Sequence, residues 1–361
     1  MSRILHSGPI RNRRIESISP LVSPDEVLAR LPLDPDLEEV VLSGREAISA
    51  VLDGLDDRMV VIVGPCSVHD SAAALEYAGR LRELADRFSQ HLFVVMRVYF
   101  EKARTNFGWR GLINDPGLDG TNRVNEGIVA ARQLLVEILS LGVPVACEFL
   151  DPITPPYVAD AVSWAAIGAR TTQSPIHRNM ASGLSMPVGF KNPTDGHVQS
   201  AIDAVAVAAR PQVFPAITDD GRPAVIRTLG NPDGHVVLRG TSSGPNYDEV
   251  SVRDTLERLR RLGLPARVIV DASHGNSGKD HERQLMVVSD IAQRVASGER
   301  GIIGVMLESF LVAGRQELHL GQTTELVYGQ SVTDACIGWE ETVVTLEALA
   351  AAHSKKLPTT G

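Results

Sequence analysis

The chain of 361 residues has little cysteine, no long apolar run and no excess of positive charge. Its three cysteines (Cys66, Cys147 and Cys336) are odd in number and widely spaced. They therefore do not form a disulfide framework, and they indicate a reducing compartment. No segment approaches the roughly 18 apolar residues that span a bilayer, and the N-terminus lacks the apolar core of a signal peptide. We expect a cytoplasmic protein with no membrane partner.

The charge balance limits the kinds of partner. A formal net charge of −9 at pH 7 argues against nucleic-acid binding, because phosphate backbones are held by a net basic face. Small anions remain possible ligands, since a local cluster of arginines can bind them whatever the total charge. With 43% hydrophobic and 22% charged residues, the chain can bury a large core.

Short apolar segments alternate with helical patterns along most of the chain. The segments are rich in Val and Ile without clean alternation, which is typical of parallel strands covered on both faces. Between them lie helical repeats such as Val252, Leu256 and Leu259, ended by Gly263. This alternation predicts an α/β protein, either a (β/α)8 TIM barrel or a doubly wound open sheet. The eight segments are 59–66, 92–100, 143–150, 164–170, 186–192, 235–240, 266–274 and 301–309.

Polar residues at the ends of these segments favour the barrel. A barrel brings the C-terminal ends of its strands to one mouth, whereas an open sheet spreads them along an edge. One such residue stands at or just after the end of each predicted strand: Cys66, Arg97, Glu148, Arg170, Lys191, Arg239, His274 and Glu308. We therefore expect a barrel over residues 59–361, with an active site at its mouth.

Two pieces lie outside the repeat. Residues 1–58 form an N-terminal extension that either closes the barrel floor or makes a subunit contact. Residues 213–230 contain "DDGRP" and predict a β-hairpin inserted before barrel strand 6.

The mouth carries a cluster of cations. Arginine forks match the paired oxygens of phosphate and carboxylate, so this cluster predicts a small ligand with several negative groups. The alternative is a solvated surface or ion pairs with acidic residues. The cations are Arg97, Arg170, Lys191 and Arg239, with Lys102 and Arg104 in the loop after the second strand.

Cys66, His274, Glu308 and Asp334 form a second group of chemically active residues. A thiolate, an imidazole and two carboxylates suit a borderline divalent ion such as Mn, Fe, Co or Zn. The spacing contains no local metal motif, and alternatives remain open. His274 could bond a backbone group, and Asp334 could form a capping box with Ser331 at the start of the last helix.

Cys66 itself has three possible roles: a metal ligand, a small core residue or a nucleophile. Nucleophilic catalysis requires a base within hydrogen-bond reach, and His69 is the nearest candidate in sequence.

Several blocks of the chain resemble the type I 3-deoxy-D-arabino-heptulosonate 7-phosphate (DAHP) synthases, the entry enzymes of the shikimate pathway. The blocks follow the family order over about residues 12–345. They include "GPCSVHD", "MRVYFEKARTNFGWRGLINDP", "GARTTQSPIHR", "DASHGNSGKD", "GVMLESFLVAGRQ" and "TDACIGWEE". The resemblance implies a (β/α)8 barrel that condenses phosphoenolpyruvate with erythrose 4-phosphate and releases phosphate, using a divalent metal (Mn, Co, Fe or Zn).

The resemblance also implies residue roles. Cys66, His274, Glu308 and Asp334 are the expected metal ligands. Phosphoenolpyruvate is expected at Arg97, Arg170, Lys191 and Arg239 with the backbone N–H of Ala169, and the sugar phosphate at Lys102, Arg104 and Thr105. Lys102 is the candidate proton donor, Glu148 the candidate orienter of water, and Lys191 is placed in both the binding and the catalytic set.

The chain departs from the family pattern near the acceptor. Ala103 replaces the usual proline, Gln173 replaces a glutamate, Pro193 replaces a glycine, and the loop "RGTSSGPNY" is one residue longer. Proline stiffens a loop, so its absence could change which aldehyde the loop accepts. The alternative hypothesis is therefore a related synthase that condenses phosphoenolpyruvate with a different phosphorylated aldehyde in a secondary pathway. A non-catalytic barrel is disfavoured, because the implied ligand and clamp residues are intact.

The resemblance further implies a homodimer or homotetramer. It implies an aromatic amino acid effector, bound between the N-terminal arm and the inserted hairpin. The hairpin sequence does not name the effector, and an unregulated enzyme is equally compatible with it.

Overall fold

The computed structural model describes residues 10–104 and 108–355. In chain order the strands are β1 (Met59–Gly64), β2 (Leu92–Arg97), β3 (Val145–Glu148), β4 (Trp164–Ile167), β5 (Val188–Lys191), β6 (Val213–Ile217), β7 (Pro223–Arg227), β8 (Gly234–Leu238), β9 (Val268–Asp271), β10 (Ile302–Glu308), β11 (Val312–Arg315) and β12 (Gln330–Ser331). The helices are α1 (Pro24–Arg30), α2 (Pro35–Asp53), α3 (Ser71–Arg87), α4 (Val124–Ser140), α5 (Pro155–Val158), α6 (Pro175–Ala181), α7 (Val198–Ala208), α8 (Glu249–Arg261), α9 (Gln284–Ala296) and α10 (Trp339–Ser354). Short 3-10 turns occupy Ala159–Ala161 and Thr323–Glu325.

The central element is a closed barrel of parallel strands. Its strands run in the order β1, β2, β3, β4, β5, β8, β9 and β10, and β10 pairs back to β1. Every predicted strand segment contributes one of them, so the prediction of a (β/α)8 barrel is confirmed. All residues of β1, β8, β9 and β10 are buried, as expected for strands covered by side chains inside and helices outside.

The outer core lies between the strands and the surrounding helices. The helical pattern read from the sequence packs inward, since Val252 and Leu259 of α8 are fully buried. Ile291 of α9 is fully buried in the same cluster. An apolar stripe repeating every three to four residues thus fixes which face of each helix meets the barrel.

The second helix of the N-terminal segment, α2, closes one end of the barrel. Its Ile48, Val51 and Leu52 belong to the apolar cluster that fills the barrel interior, together with residues such as Val60 and Trp164. Asp34 caps this helix by accepting hydrogen bonds from the backbone N–H of Asp36 and Leu37. The interior is therefore packed at the floor, and the opposite mouth remains for ligands.

The predicted hairpin is also confirmed. Strands β6 and β7 pair antiparallel, with Val213 opposite Arg227 and Ile217 opposite Pro223, and they precede β8. Gly221 in the turn has φ of +79°, a conformation that glycine adopts without strain. The hairpin tip contacts the N-terminal segment, because the Asp25 N–H donates to the Asp219 carbonyl at 2.8 Å.

Among the described residues, none of the helices combines the length and the apolar character needed to cross a bilayer.

Candidate active site

A cavity of about 610 Å³ opens at the C-terminal ends of the barrel strands. Of the residues predicted for the site, those that line it are Arg97, Lys102, Arg104, Glu148, Ala169, Arg170, Lys191, Arg239, His274, Glu308 and Asp334. Cys66 is fully buried and contacts this group from below. Thr105 lies outside the described residues. Strand position thus gathers the eight residues predicted at strand ends, and the connecting segments add Lys102, Arg104, Ala169 and Asp334.

The candidate metal ligands converge in space although they are far apart in sequence. Donor atoms of Cys66, Glu308 and Asp334 all lie within 4.8 Å of one another. His274 is adjacent, with its Nε2 atom 3.7 Å from Glu308 Oε1. One sulfur, one imidazole nitrogen and two carboxylates are a donor set that suits a borderline divalent ion. The residues therefore fit a metal site.

The structure supports neither a nucleophilic role for Cys66 nor a capping role for Asp334, although Cys66 is a buried member of the apolar core as well as a neighbour of the metal donors. Burial raises the pKa of the Cys66 thiol to about 11, and the Glu308 carboxylate adds to this shift. A neutral thiol is a poor nucleophile, and no hydrogen bond joins Cys66 to His69 within the described part of the chain. The capping-box interpretation of Asp334 is wrong, because α10 begins only at Trp339 with Gly338 as its N-cap. Asp334 instead accepts from Cys66 Sγ at 3.5 Å.

Arg97 is held rigidly below the cavity mouth. Its guanidinium donates to the carbonyls of Pro65 and Cys66 at 3.1 Å each and to Glu308 Oε1 at 2.9 Å. The ring of Tyr99 lies beneath it, 3.6 Å from the guanidinium carbon to the ring centroid. Because Glu308 is a candidate metal ligand, this arginine links the cationic cluster to the metal donors.

Lys191 and His274 share one buried carboxylate. Asp271 at the end of β9 accepts from Lys191 Nζ at 3.0 Å and lies 3.0 Å from His274 Nδ1. Although burial opposes ionisation, His274 and Lys191 hold the pKa of the Asp271 carboxyl well below its ordinary value. Asp271 is therefore a carboxylate at neutral pH. The ion-pair alternative for the cations thus holds for Lys191, as it does for Arg97.

Arg170 and Arg239 differ from these two. Within residues 10–104 and 108–355, neither guanidinium makes a side-chain hydrogen bond or ion pair, and both face the cavity. Burial lowers the pKa of Arg239, and the nearby charge of Arg170 lowers it further. Arg239 is buried whereas Arg170 is exposed at the mouth, and an anion that binds between them would offset the cost of burying the Arg239 charge. This pair indicates where an anionic ligand binds.

Glu148 enters the cavity from the end of β3, through space that Gly168 leaves open. A Cβ atom on Gly168 would lie 2.3 Å from Glu148 Oε1, far closer than any ordinary contact. Gly168 is thus required for the present position of the carboxylate, and the residue that follows it is the predicted ligand Ala169.

The loop after β2 forms the outer part of the cavity. Lys102 Nζ lies 2.9 Å from Cys66 Sγ, and Arg104 Nε donates to the Trp109 carbonyl at 2.9 Å. Burial opposes the charge on Lys102, but Cys66 and Glu308 together leave its pKa above the ordinary value. Of the residues that depart from the family pattern, Ala103 lines the cavity, whereas Gln173 bonds to Ser200 Oγ at 3.1 Å and does not line it.

Sequence reasoning missed several residues of the site. Asp271 stands in the quoted "DASH" block, and its spacing of three residues before His274 is the signal that could have identified it. Lys279 and Arg315 also line the cavity. Lys279 lies in the turn after β9 and Arg315 ends the short strand β11, and neither element is part of the repeated barrel pattern.

Comparison with known proteins identifies the family. The model of the DAHP synthetase I family matches residues 36–347. The chain belongs to the DAHP synthetase I family.

Relatives agree with this assignment over nearly the whole chain. A phospho-2-dehydro-3-deoxyheptonate aldolase of Corynebacterium glutamicum is 50% identical over 346 residues, covering 94% of each chain. The Phe-sensitive phospho-2-dehydro-3-deoxyheptonate aldolase of Escherichia coli is 50% identical over 337 residues, covering 93% of this chain and 95% of that protein. The structure of a phospho-2-dehydro-3-deoxyheptonate aldolase from Francisella tularensis superposes with a TM-score of 0.93 at 46% identity, covering 96% of this chain and 100% of the other.

Membership in the DAHP synthetase I family confirms the activity predicted from the motifs. The protein is an enzyme that condenses phosphoenolpyruvate with erythrose 4-phosphate, in the biosynthesis of aromatic amino acids. Members of the family depend on a metal, and the cluster of Cys66, Glu308 and Asp334 offers this chain a place to hold one.

Proposed function

We propose that the cavity at the barrel mouth is the condensation site, with a divalent metal held by Cys66, His274, Glu308 and Asp334. The proposal rests on one observation: the candidate metal ligands and the cationic side chains lie next to each other at the same cavity. Three metal donors lie within 4.8 Å of one another, and cationic side chains at neighbouring strand ends line the same space. The mixed donor set suits Mn, Fe, Co or Zn.

Phosphoenolpyruvate binds to the cations at the centre of the mouth. Arg170 and Arg239 can pair with its phosphate and carboxylate, since no group in the described part of the chain bonds to their guanidinium nitrogens. Arg97 and Lys191 add positive charge from fixed positions, because Glu308 and Asp271 hold them. The backbone of Ala169 lies beside this group. The ligand is thus oriented before the second substrate reacts.

Erythrose 4-phosphate binds toward the loop after β2. Arg104 lines that side of the cavity, and we assign Thr105 to the same subsite from its place next to Arg104 in the sequence. Lys102 stands between this subsite and the metal donors, at 2.9 Å from Cys66 Sγ. Its ammonium is therefore placed near the reacting aldehyde.

The reaction forms a bond between carbon 3 of phosphoenolpyruvate and the aldehyde carbon. When bound, the metal supplies Lewis acidity for the aldehyde oxygen. Lys102 donates a proton to that oxygen as it becomes a hydroxyl. Glu148 orients the water that adds to carbon 2, and loss of phosphate from carbon 2 then leaves the ketone of the product.

Steady-state kinetics with added metal test the proposal. We expect loss of phosphoenolpyruvate and release of phosphate only when both a divalent metal and erythrose 4-phosphate are present. Lys102→Met should lower kcat at least 100-fold, because it removes the proton donor. Lys355→Met, at the exposed end of α10, is the matched control. Full activity of Lys102→Met, or consumption of phosphoenolpyruvate without aldehyde, would contradict the proposal.

Ala103 lines the cavity where the family usually has proline, so the acceptor requires its own test. A screen of four-carbon and five-carbon sugar phosphates measures kcat/KM for each. Preference for erythrose 4-phosphate supports the proposal, and preference for a five-carbon acceptor would overturn it.

Regulation by an aromatic amino acid is a further part of the proposal. The N-terminal segment contacts the hairpin tip through Asp25 and Asp219, and relatives carry the names Phe-sensitive and Trp-sensitive. We expect inhibition by one of phenylalanine, tyrosine and tryptophan, and its loss when β6 and β7 are replaced by a short turn. An enzyme insensitive to all three would be an unregulated member.

We also propose residues 1–58 as an N-terminal extension of a barrel over 59–361, assembled as a homodimer or homotetramer. Three free, buried thiols fit a reducing compartment, so we place the protein in the cytoplasm. Sedimentation of the full chain tests the assembly, and a monomer would contradict it.

A further inference from the structure

The carboxylate of Asp271 lies between the candidate metal ligands and the cations of the phosphoenolpyruvate site. It is fully buried at the C-terminal end of β9. Its Oδ2 atom lies 3.0 Å from Lys191 Nζ and 3.0 Å from His274 Nδ1. One oxygen atom thus contacts both a candidate metal ligand and a cation of the phosphoenolpyruvate cluster.

The local backbone keeps this arrangement in place. His274 has φ of +55°, which is uncommon for a residue with a side chain. A hydrogen bond from the Lys279 N–H to the His274 carbonyl, at 2.6 Å, closes the turn. The Ser273 N–H donates to Asp271 Oδ1 at 3.0 Å, and the Ser273 hydroxyl bonds the same oxygen. Strained conformations of this kind persist where surrounding contacts enforce them, and they cluster at functional sites.

The contacts of His274 fix which ring nitrogen carries the proton. Nδ1 lies between two oxygens that can accept, Asp271 Oδ2 at 3.0 Å and Ser273 Oγ at 2.8 Å. A carboxylate can only accept, so the neutral ring must place its proton on Nδ1. The Nε2 lone pair then faces Glu308, whose Oε1 is 3.7 Å away. This is the tautomer that a metal at the Cys66, Glu308 and Asp334 cluster requires.

We propose that Asp271 is a positioning residue that sets metal affinity and phosphoenolpyruvate affinity together, by holding His274 and Lys191 with one carboxylate. The inference rests on the proposed function, in which His274 binds the metal and Lys191 binds phosphoenolpyruvate. Hydrogen-bond partners of this type orient a metal-bound imidazole and raise its basicity. The same negative charge keeps Lys191 in place beside Arg170 and Arg239, where like charges would otherwise displace it.

Asp271→Asn tests the proposal, because it keeps the shape of the side chain and removes its charge. We expect Mn²⁺ binding to the metal-free variant to be about 10-fold to 100-fold weaker, as for other losses of a ligand's hydrogen-bond partner. The KM for phosphoenolpyruvate should rise about 10-fold, while the KM for erythrose 4-phosphate stays within about twofold. A purely structural role would not separate the two substrates in this way.

Asp233→Asn is the matched control. Asp233 lies at the floor end of the barrel, where it accepts from Ser49 Oγ at 2.7 Å, and it does not line the cavity. The control should bind Mn²⁺ and phosphoenolpyruvate as the wild type does. If the wild type binds no Mn²⁺, the proposed function fails. If the wild type and Asp271→Asn bind Mn²⁺ equally well, only this inference fails.

A measurement on the wild type covers the case in which Asp271→Asn does not fold. The side-chain ¹⁵N shifts of histidine-labelled, metal-free protein report the tautomer of His274, assigned with His274→Gln. A proton on Nδ1 supports the proposal. A proton on Nε2 would overturn it, because that tautomer cannot donate to Asp271 or offer Nε2 to a metal.

Discussion

Arg97 Nη2 lies 2.9 Å from Glu308 Oε1, and both side chains are at most 2% exposed. A buried pair of this kind is strongly destabilised when one partner is removed, because the other charge is left without compensation. Here the pair also fixes a candidate metal ligand against a cation of the substrate cluster. A change in the Arg97–Glu308 pair is therefore expected to affect both the metal site and the phosphoenolpyruvate site.

Replacing Arg97 by lysine keeps the charge but loses the planar fork. We expect Arg97→Lys to raise the KM for phosphoenolpyruvate at least 10-fold and to lower the free energy of unfolding by about 2 kcal/mol, because several of its hydrogen bonds are lost. Arg87→Lys is the control, since Arg87 pairs with Glu347 on the surface at 2.7 Å. The control should change stability by less than about 0.5 kcal/mol. Equal effects of the two substitutions in kinetics and denaturation would disprove the special role of the buried pair.

Gly168 leaves the space that Glu148 occupies. A methyl group there would lie 2.3 Å from Glu148 Oε1, so we expect Gly168→Ala to displace the carboxylate and lower kcat at least 10-fold. Gly79→Ala is the control, because no described residue outside the local backbone of α3 comes within 4 Å of a Cβ at Gly79. Alanine there should stabilise the helix by about 0.5 to 1 kcal/mol. Unchanged kcat in Gly168→Ala would show that the position of Glu148 does not matter for turnover.

His235 makes stability depend on pH. Burial lowers its pKa from 6.5 to about 4, and both ring nitrogens are used: Trp164 Nε1–H donates to Nε2, and Nδ1 donates to the Asp233 carbonyl. A second proton would oppose the Trp164 N–H. Because the folded pKa is the lower one, stability is complete above pH 6.5 and is lost as the pH falls toward 4.

The expected loss from this histidine is about 2 kcal/mol between pH 7.5 and pH 5. His235→Phe removes the titrating group, so the stability difference between wild type and variant should shrink by that amount over this range. Urea denaturation at both pH values measures it. A constant difference would mean that His235 titrates normally in the folded protein.

The floor helix α2 provides a test of the N-terminal segment. Ile48 is fully buried in the barrel interior, so Ile48→Ala should lower the free energy of unfolding by about 2 to 4 kcal/mol through cavity formation. Leu42 on the same helix is 50% exposed, and Leu42→Ala should cost less than about 0.5 kcal/mol. Neither should change KM. Similar denaturation midpoints for the two variants would argue that α2 contributes little to the packed floor.

Much of the fold and the site could be predicted from the sequence because the barrel repeats one rule. A polar residue stands at or shortly after the end of each barrel strand, so counting strand ends predicts Arg97, Arg170, Lys191 and Arg239 around one mouth without any distance information. The role of α2 could not be decided, because an apolar helix face fits either a barrel floor or a subunit contact. Pairings such as Lys191 with Asp271 were also missed, since they depend on the register between strands and on the left-handed turn at His274.

The most direct test of the central claim is an anomalous difference map from crystals grown with Mn²⁺ and phosphoenolpyruvate. We expect one strong peak within coordination distance of Cys66, His274, Glu308 and Asp334, with phosphoenolpyruvate beside Arg170 and Arg239. A peak at other residues, or phosphoenolpyruvate bound away from this cavity, would contradict the account.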